Sequence, residues 1–379
     1  MVYGWFYSRL PLSEADTWQF YLLSKNETDW LLHDPVGFLK DIFSYGYAHP
    51  GNLFSGVNSY WNDLKSSIVI KLIAVFNVLT AKNYYADMIF FNFLFFFGPV
   101  AFFRLMMHYY PQKKSLLILS VFMLPSFLFW CSGMHKEGLI FSAIAITIYV
   151  FNKQLQQKRI VLKYCFVIVI CFAALFALRN FLLLLLVPAM FAWFVASRVA
   201  SKKWLVFLSI YGIGIILFFG LPHVNSLLDF PQYVIGKQDE FKQLPGNSVI
   251  PVPALEPTVK SFVHFIPTSL DIAFLRPHIN EAKNLSYIPA AIENLLLIVL
   301  MIGCIFFRDK KAAVFSVNLF CLFYSLSVMI LSGYTVTFSG SIVRYKSIVL
   351  PLLITFFLLL IDGKILPKIL RQKEPKTLP

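Results

Sequence analysis

His135, Lys136 and Glu137 stand side by side where an aromatic run, LPSFLFW, passes through a small-residue turn into a second apolar run. An imidazole, an ammonium and a carboxylate at the lip of a membrane-length segment can hold an anion, orient a hydroxyl or move a proton. The bland alternative is a short loop whose lysine snorkels to the headgroups. Groups of the same character recur at other segment ends: Arg179 with Asn180; Arg276, His278 and Glu281; Glu293; and Arg344, Tyr345 and Lys346. An ionisable side chain within a span costs about 2.5–3.5 kcal/mol on insertion scales, and Glu293, Arg344 and Lys346 are near enough to apolar sequence to incur part of that. Arginine suits phosphate because its planar fork donates two hydrogen bonds at once. Read together, these residues form a basic pocket for a phosphate or diphosphate. Near the N-terminus, Glu14 and Asp16 precede Trp18, Phe20 and Tyr21. A carboxylate beside aromatic rings can act as general base for a hydroxyl nucleophile. Asp16 can equally be the N-cap of a short amphipathic helix.

The elements that must position these groups follow from composition. Of 379 residues 58% are hydrophobic and only 14% charged, with a mean hydropathy of +0.70. That describes an all-α polytopic membrane protein. The formal net charge of +14 is assigned to inner loops, where basic residues accumulate, and not to nucleic-acid binding. The five cysteines fall in or beside apolar runs with no metal-ligand spacing and read as small packing residues. With no glycine-rich nucleotide loop and no His/Asp/Cys set at metal spacing, no cofactor is implied. A weakly held divalent metal at Glu14 and Asp16 stays open.

About nine segments have the roughly 20 residues, with some slack, that a spanning helix needs: 86–107, 115–131, 138–151, 162–178, 181–197, 204–221, 288–307, 312–332 and 343–361. A tenth, 67–80, is shorter and amphipathic and reads as an interfacial helix. Placing the basic C-terminal tail inside makes loops 109–114, 152–161, 198–203 and 308–311 inner as well, and each carries Lys or Arg. Of the 19 acidic residues, only Asp309, Asp362 and Glu374 then fall inside. The chain divides into an outer segment with interfacial helices (1–85), a six-span block (86–221), a proline-rich outer loop (222–287, with an amphipathic stretch at 259–275), a three-span block (288–362) and a basic inner tail (363–379). The opening MVYGWFYSRLP reads as the outer end of a helix that begins upstream. The chemistry is expected on the outer face of an inner (plasma) membrane.

Three stretches carry a resemblance to a known family. ADTWQFY, with Asp16 and Tyr21, is similar to the acidic-residue-then-tyrosine element in the first outer loop of the GT-C superfamily of membrane glycosyltransferases. PSFLFWCSGMHKEG sits where such proteins carry a second functional outer loop, and VRYKSIVLP resembles their C-terminal Arg-Tyr element. The interfacial helix before the first clear span fits the same plan. The resemblance implies a GT-C-like fold and an enzyme of cell-surface glycan assembly. Its partners would be a polyprenyl-phosphate-linked sugar, the membrane lipid, and a glycan, lipid or protein acceptor. Asp16, with Glu14 beside it, would take the acceptor proton. Lys136, Arg179, Arg276, Arg344 and Lys346 would hold the departing phosphate. His135, Glu137, His278, Glu281 and Glu293 would bind hydroxyls or orient the bases, and Trp18, Trp130 and Tyr345 would stack on sugar. Two alternatives are carried forward. One is an O-antigen or exopolysaccharide polymerase or ligase acting on a lipid diphosphate. The other is a lipid-linked glycan transporter, which needs polar residues along a path through the bilayer. The only mid-span candidates for such a path are Asn92, Asn318 and Ser325.

Overall fold

Backbone inside a bilayer must satisfy its own hydrogen bonds, and a chain this apolar does so with helices. The computed structural model describes residues 2–7, 9, 16–44, 50, 51, 53, 59–157, 159–199, 201–244, 248–281, 287–309 and 314–362. Among them the only β pairing is two isolated bridges, Val249 with Phe338 and Arg308 with Ile361. The N-terminal part comprises α1 (Val2–Tyr7), α2 (Asp16–His33), α3 (Pro35–Lys40) and α4 (Tyr60–Thr80). The apolar bundle follows: α5 (Tyr84–Tyr109), α6 (Lys114–Phe122), α7 (Pro125–Cys131), α8 (Lys136–Leu155), α9 (Leu162–Ser197) and α10 (Lys203–Gly220). Then come α11 (Phe230–Gln243) and α12 (Val259–Leu270), and after them α13 (Ile288–Phe306), α14 (Ser316–Thr335), α15 (Ser339–Ser347) and α16 (Leu350–Leu360).

The chain is a multi-pass, all-helical membrane protein. Six helices among the described residues are long and apolar enough to cross a bilayer, and up to eight spans result if each of two bent helix pairs is one. The first bent pair falls in the expected span 115–131. Pro111–Phe122 and Pro125–Cys131 meet at 54°, because Pro125 has no N–H to continue the ladder and holds Leu124 extended. The second falls in 343–361, where Ser339–Ser347 and Leu350–Leu360 meet at 63°. Arg344, Tyr345 and Lys346 therefore lie on a separate short helix, α15, and do not open a straight span.

The expected pair 162–178 and 181–197 is one helical run, α9, in which Arg179 alone leaves helical dihedrals. Its neighbours fix its path. The Val161 N–H donates to Gln154 Oε1 at 2.9 Å, and the Trp193 ring packs on Phe151 at 5.3 Å. Both ends of α9 thus lie beside the last turns of α8, whereas Arg179 reaches Glu137 in the first turn of α8. A straight helix would put Val161 and Trp193 about 48 Å apart at 1.5 Å per residue. α9 doubles back at Arg179, and both arms run along α8. On its other side α8 packs against α5, where Gly98 lets Ser142 approach. A Cβ at Gly98 would sit 2.6 Å from the Ser142 Cα, and the Ser142 hydroxyl donates to the Phe95 carbonyl at 3.0 Å.

The stretch 67–80 belongs to a longer helix, α4, that packs along α2 through a polar seam. Asn77 Nδ2 donates to Ser24 Oγ (2.9 Å) and Thr28 Oγ1 (3.0 Å). Lys71, 4% exposed, sits between Glu27 (2.8 Å) and Asp41 (3.0 Å) and under the Trp30 and Phe38 rings. α4 is not among the helices apolar enough to span. Lys71→Met leaves two carboxylates facing each other, and the folded protein is expected to lose about 1–2 kcal/mol. Thermal unfolding in detergent checks this, and an unchanged midpoint refutes it. The amphipathic stretch 259–275 is α12 followed by a π-helical turn at Asp271–Leu275, and α12 packs on α14. There Gly333 meets the Ser269 backbone so closely that no Cβ would fit.

A candidate anion site at one end of the bundle

The turn before α8, the fold-back of α9 and the short helix α15 converge at one end of the bundle. Their meeting point is Glu137, which is fully buried. Its Oε1 accepts from Arg344 Nε at 2.7 Å and from Arg179 Nη2 at 3.0 Å, and its Oε2 accepts from Arg344 Nη2 at 3.2 Å. Arg344 therefore grips the carboxylate with both prongs of its fork. Arg344 Nη2 also lies 3.2 Å from His135 Nδ1. A guanidinium can only donate, so His135 Nδ1 accepts and Nε2 carries the proton. That N–H donates to Thr17 Oγ1 at 2.9 Å, and Thr17 pairs with the Tyr3 hydroxyl at 2.9 Å. The first turn of α2 is thus tied to the His135–Glu137 turn.

Aromatic rings wall the cluster. The Arg179 guanidinium lies 4.1 Å from the Tyr345 ring centroid, and Tyr345 stacks parallel to Phe181. Arg344 lies 5.7 Å from the Trp130 ring. Arg179 is 5% exposed, and its Nη1 is buried with no hydrogen-bond partner among the described residues. Half-buried Lys136 has no hydrogen bond or ion pair there either, although Arg179, Arg344, Glu137 and Lys65 all lie within electrostatic reach. Lys65, on α4, also feels Lys237 and Glu240 of α11, which pair with each other at 2.6 Å. Five cations (Lys65, Lys136, Arg179, Lys237, Arg344) and two carboxylates (Glu137, Glu240) leave a formal +3. The arrangement can hold an anion and stabilise negative charge as it develops.

Burial, then the Lys237 and Arg179 charges, pull the Lys65 ammonium down to about 8, with Glu240 acting the other way. Lys65 is charged below that pH and neutral above it. Binding of a lipid phosphodiester, whose own charge does not change in this range, is expected to weaken several-fold between about pH 7 and pH 9. The Lys65→Gln protein should bind more weakly at pH 7 and show a shallower alkaline fall. A wild-type profile that is flat to pH 9 refutes the assignment.

Arg276, His278, Lys346 and Glu293 have other partners. Arg276 is held by Asp271 (2.9 Å) and Glu281 (2.8 Å), and His278 Nε2 lies 2.9 Å from Asp271. The Arg276 fork is already occupied by carboxylates, so it adds no open positive charge. Lys346, expected as a phosphate contact, points inward instead. It is 1% exposed and donates to the Arg276 carbonyl at 2.9 Å and to Asn294 Oδ1. Arg344 and Lys346 are two apart on α15 and so face different sides. Glu293 is buried near Lys346 and accepts from the Ser126 N–H at 3.4 Å. Trp18 packs against Tyr21 and Tyr84. Glu14 lies outside the described residues. Asp16 opens α2 directly before Thr17, and its side chain also lies outside the description.

Sequence reading missed Thr17, Lys65, Lys237 and Asp271. Lys65 preceded the residue at which the helix was expected to start. Lys237 does carry a local signal, Glu240 three residues on along a helix. No family model, curated protein or solved structure matches the chain.

Proposed function

We propose that the chain is a membrane glycosyltransferase that moves a sugar from a polyprenyl-phosphate donor to an acceptor hydroxyl at the outer face, within a bundle of nine spans of GT-C-like plan. One observation carries this reading. At one end of an apolar bundle, cations from α4, α8, α9 and α15 surround a single buried carboxylate, with Arg179 Nη1, Lys136 and Lys65 unpartnered among the described residues. The fold-back of α9 supports counting its two arms as separate spans, which with the two bent pairs gives nine. An open groove of about 440 Å³ along α5, lined by Met88, Ile89, Asn92, Phe93 and Phe96, offers a path for the lipid chain. Asn92 links that groove to the His135 loop through the Ser132 carbonyl at 2.8 Å.

In the reaction the acceptor oxygen attacks the anomeric carbon. The bond from that carbon to the phosphate oxygen breaks, its electron pair stays on the phosphate, and the acceptor proton passes to Asp16. A lipid phosphate leaves readily and needs charge stabilisation more than a proton, which Arg179, Arg344, Lys136 and Lys65 supply. Asp16 directly precedes Thr17 in the chain, and the bond from Thr17 to His135 supports placing the base near the phosphate site.

The formal +3 favours a second reading, a polymerase or ligase, since a lipid diphosphate carries more charge than a phosphodiester. A transporter is supported less. Asn92 binds Met88 and Ser132 carbonyls, Asn318 Oδ1 accepts from Tyr110, and Ser325 donates to the Val349 carbonyl, so each of the three residues named for such a path has an intramolecular partner, with Asn318 Nδ2 left unpaired among the described residues. The test is transfer of labelled sugar from polyprenyl phosphate by the purified, reconstituted chain. Asp16→Asn is expected to cut turnover by about 10²–10⁴-fold while donor binding persists. Undiminished transfer removes Asp16 from the mechanism. Products of growing length select the polymerase, and lipid movement without bond cleavage selects the transporter.

A further inference from the structure

A second basic site lies at the other end of the bundle, where α8 ends and the return arm of α9 arrives. A groove of about 410 Å³ is lined by Lys202, Lys203 and Trp204 at the start of α10, by Arg308 after α13, and by Leu319, Phe356 and Leu360. We propose that it binds the headgroup of an anionic phospholipid, with an acyl chain lying along α10.

The polar part of the groove is positive. Among the described residues none of Lys202, Lys203 and Arg308 is in an ion pair. The nearby carboxylates Asp309 and Asp362 lie within reach of Lys113, whose ammonium donates to the Leu359 carbonyl at 2.6 Å. The cations are also placed by fixed backbone. Arg308 is in a bridge with Ile361, flanked by Asp309 N–H to the Leu360 carbonyl (2.9 Å) and Asp362 N–H to the Phe307 carbonyl (3.0 Å). Lys202 adopts φ +56°, the left-handed turn that starts α10.

The remainder of the site is apolar, which separates a lipid from a soluble anion. Leu319, Phe356 and Leu360 form a wall below the charges. α10 runs from the groove along a face with exposed Leu205, Leu208, Ile213 and Ile216, and only 6% of its most apolar stretch is buried. The volume suits a phosphoglycerol headgroup, while its chains would lie against the helix outside. Basic pockets between helices, with a tryptophan at the rim, are where membrane proteins hold acidic lipids.

The experiment is native mass spectrometry of the full chain released from nanodiscs of phosphatidylcholine with phosphatidylglycerol. Wild type should retain phosphatidylglycerol about tenfold over phosphatidylcholine. The triple variant Lys202→Gln, Lys203→Gln, Arg308→Gln should lose that preference, while Lys202→Arg, Lys203→Arg should keep it. Equal retention of the two lipids, or a preference surviving in the triple Gln variant, overturns the proposal. So does full displacement by inorganic phosphate, which would make the groove a site for any small anion. Lys260→Gln, an exposed lysine on α12 outside both basic sites, should leave the preference untouched. A loss there would make the preference one of overall charge and overturn the proposal, whereas failure of sugar transfer has no bearing on it.

Discussion

Glu137→Gln protein is expected to unfold several degrees lower than wild type and to lose at least about 100-fold in the proposed sugar transfer. Glu137 neutralises Arg179 and Arg344 together, at full burial. Removing one partner of a buried ion pair typically destabilises by about 3–5 kcal/mol, because the other charge stays buried and uncompensated. Glutamine keeps the shape and one acceptor oxygen, so the fold should survive. Two effects on anion binding then oppose each other. Losing a negative charge makes the pocket more positive and draws phosphate in, while losing the bidentate grip lets the Arg344 fork drift. Equilibrium binding of lipid phosphate should therefore change less than turnover, since a misplacement of about 1 Å costs turnover about 100-fold. A variant with wild-type melting and wild-type transfer shows that Glu137 neither positions the arginines nor serves the reaction.

How much of this was legible follows from which forces act locally. A run of apolar residues about 20 long is a one-dimensional signal, and α5, α8, α10, α13 and α14 stand close to where hydropathy puts them. The bends do not read that way. Pro125 marks the first break in sequence, but how far α7 swings depends on what it packs against. Arg179 is the clearer case. The sequence shows an Arg-Asn pair between two greasy runs, and only the contacts of Val161, Arg179 and Trp193 with α8 show that the chain reverses there. The site was legible as residue types and not as pairings. Glu137, Arg179 and Arg344 come from three segments, and a basic residue at a span end looks the same whether it meets a carboxylate or open solvent. Arg276 and Lys346 looked like Arg344 in the sequence; Asp271, Glu281 and Asn294 make the difference in space.

Arg179→Lys and Lys136→Gln should fail in different ways, and the contrast tests which cations meet the reacting phosphate. Arg179 donates Nη2 to Glu137, stacks on Tyr345 and leaves Nη1 unpartnered among the described residues. Lysine keeps the charge but loses the fork and the planar stack. If Nη1 meets charge that develops as the sugar bond breaks, Arg179→Lys should lower kcat by about 10²–10³-fold, or about 2.7–4 kcal/mol of transition-state stabilisation. Lys136 gives up no hydrogen bond among the described residues, so Lys136→Gln should melt like wild type. If the proposed donor binds here, the Lys136 ammonium attracts its phosphate in ground state and transition state alike, so its loss should raise KM about tenfold and change kcat little. The double variant should fall short of the product of the two single effects, because both cations act on one anion. Fully multiplicative losses would place Lys136 and Arg179 on different groups and would divide the single anion site inferred from their proximity.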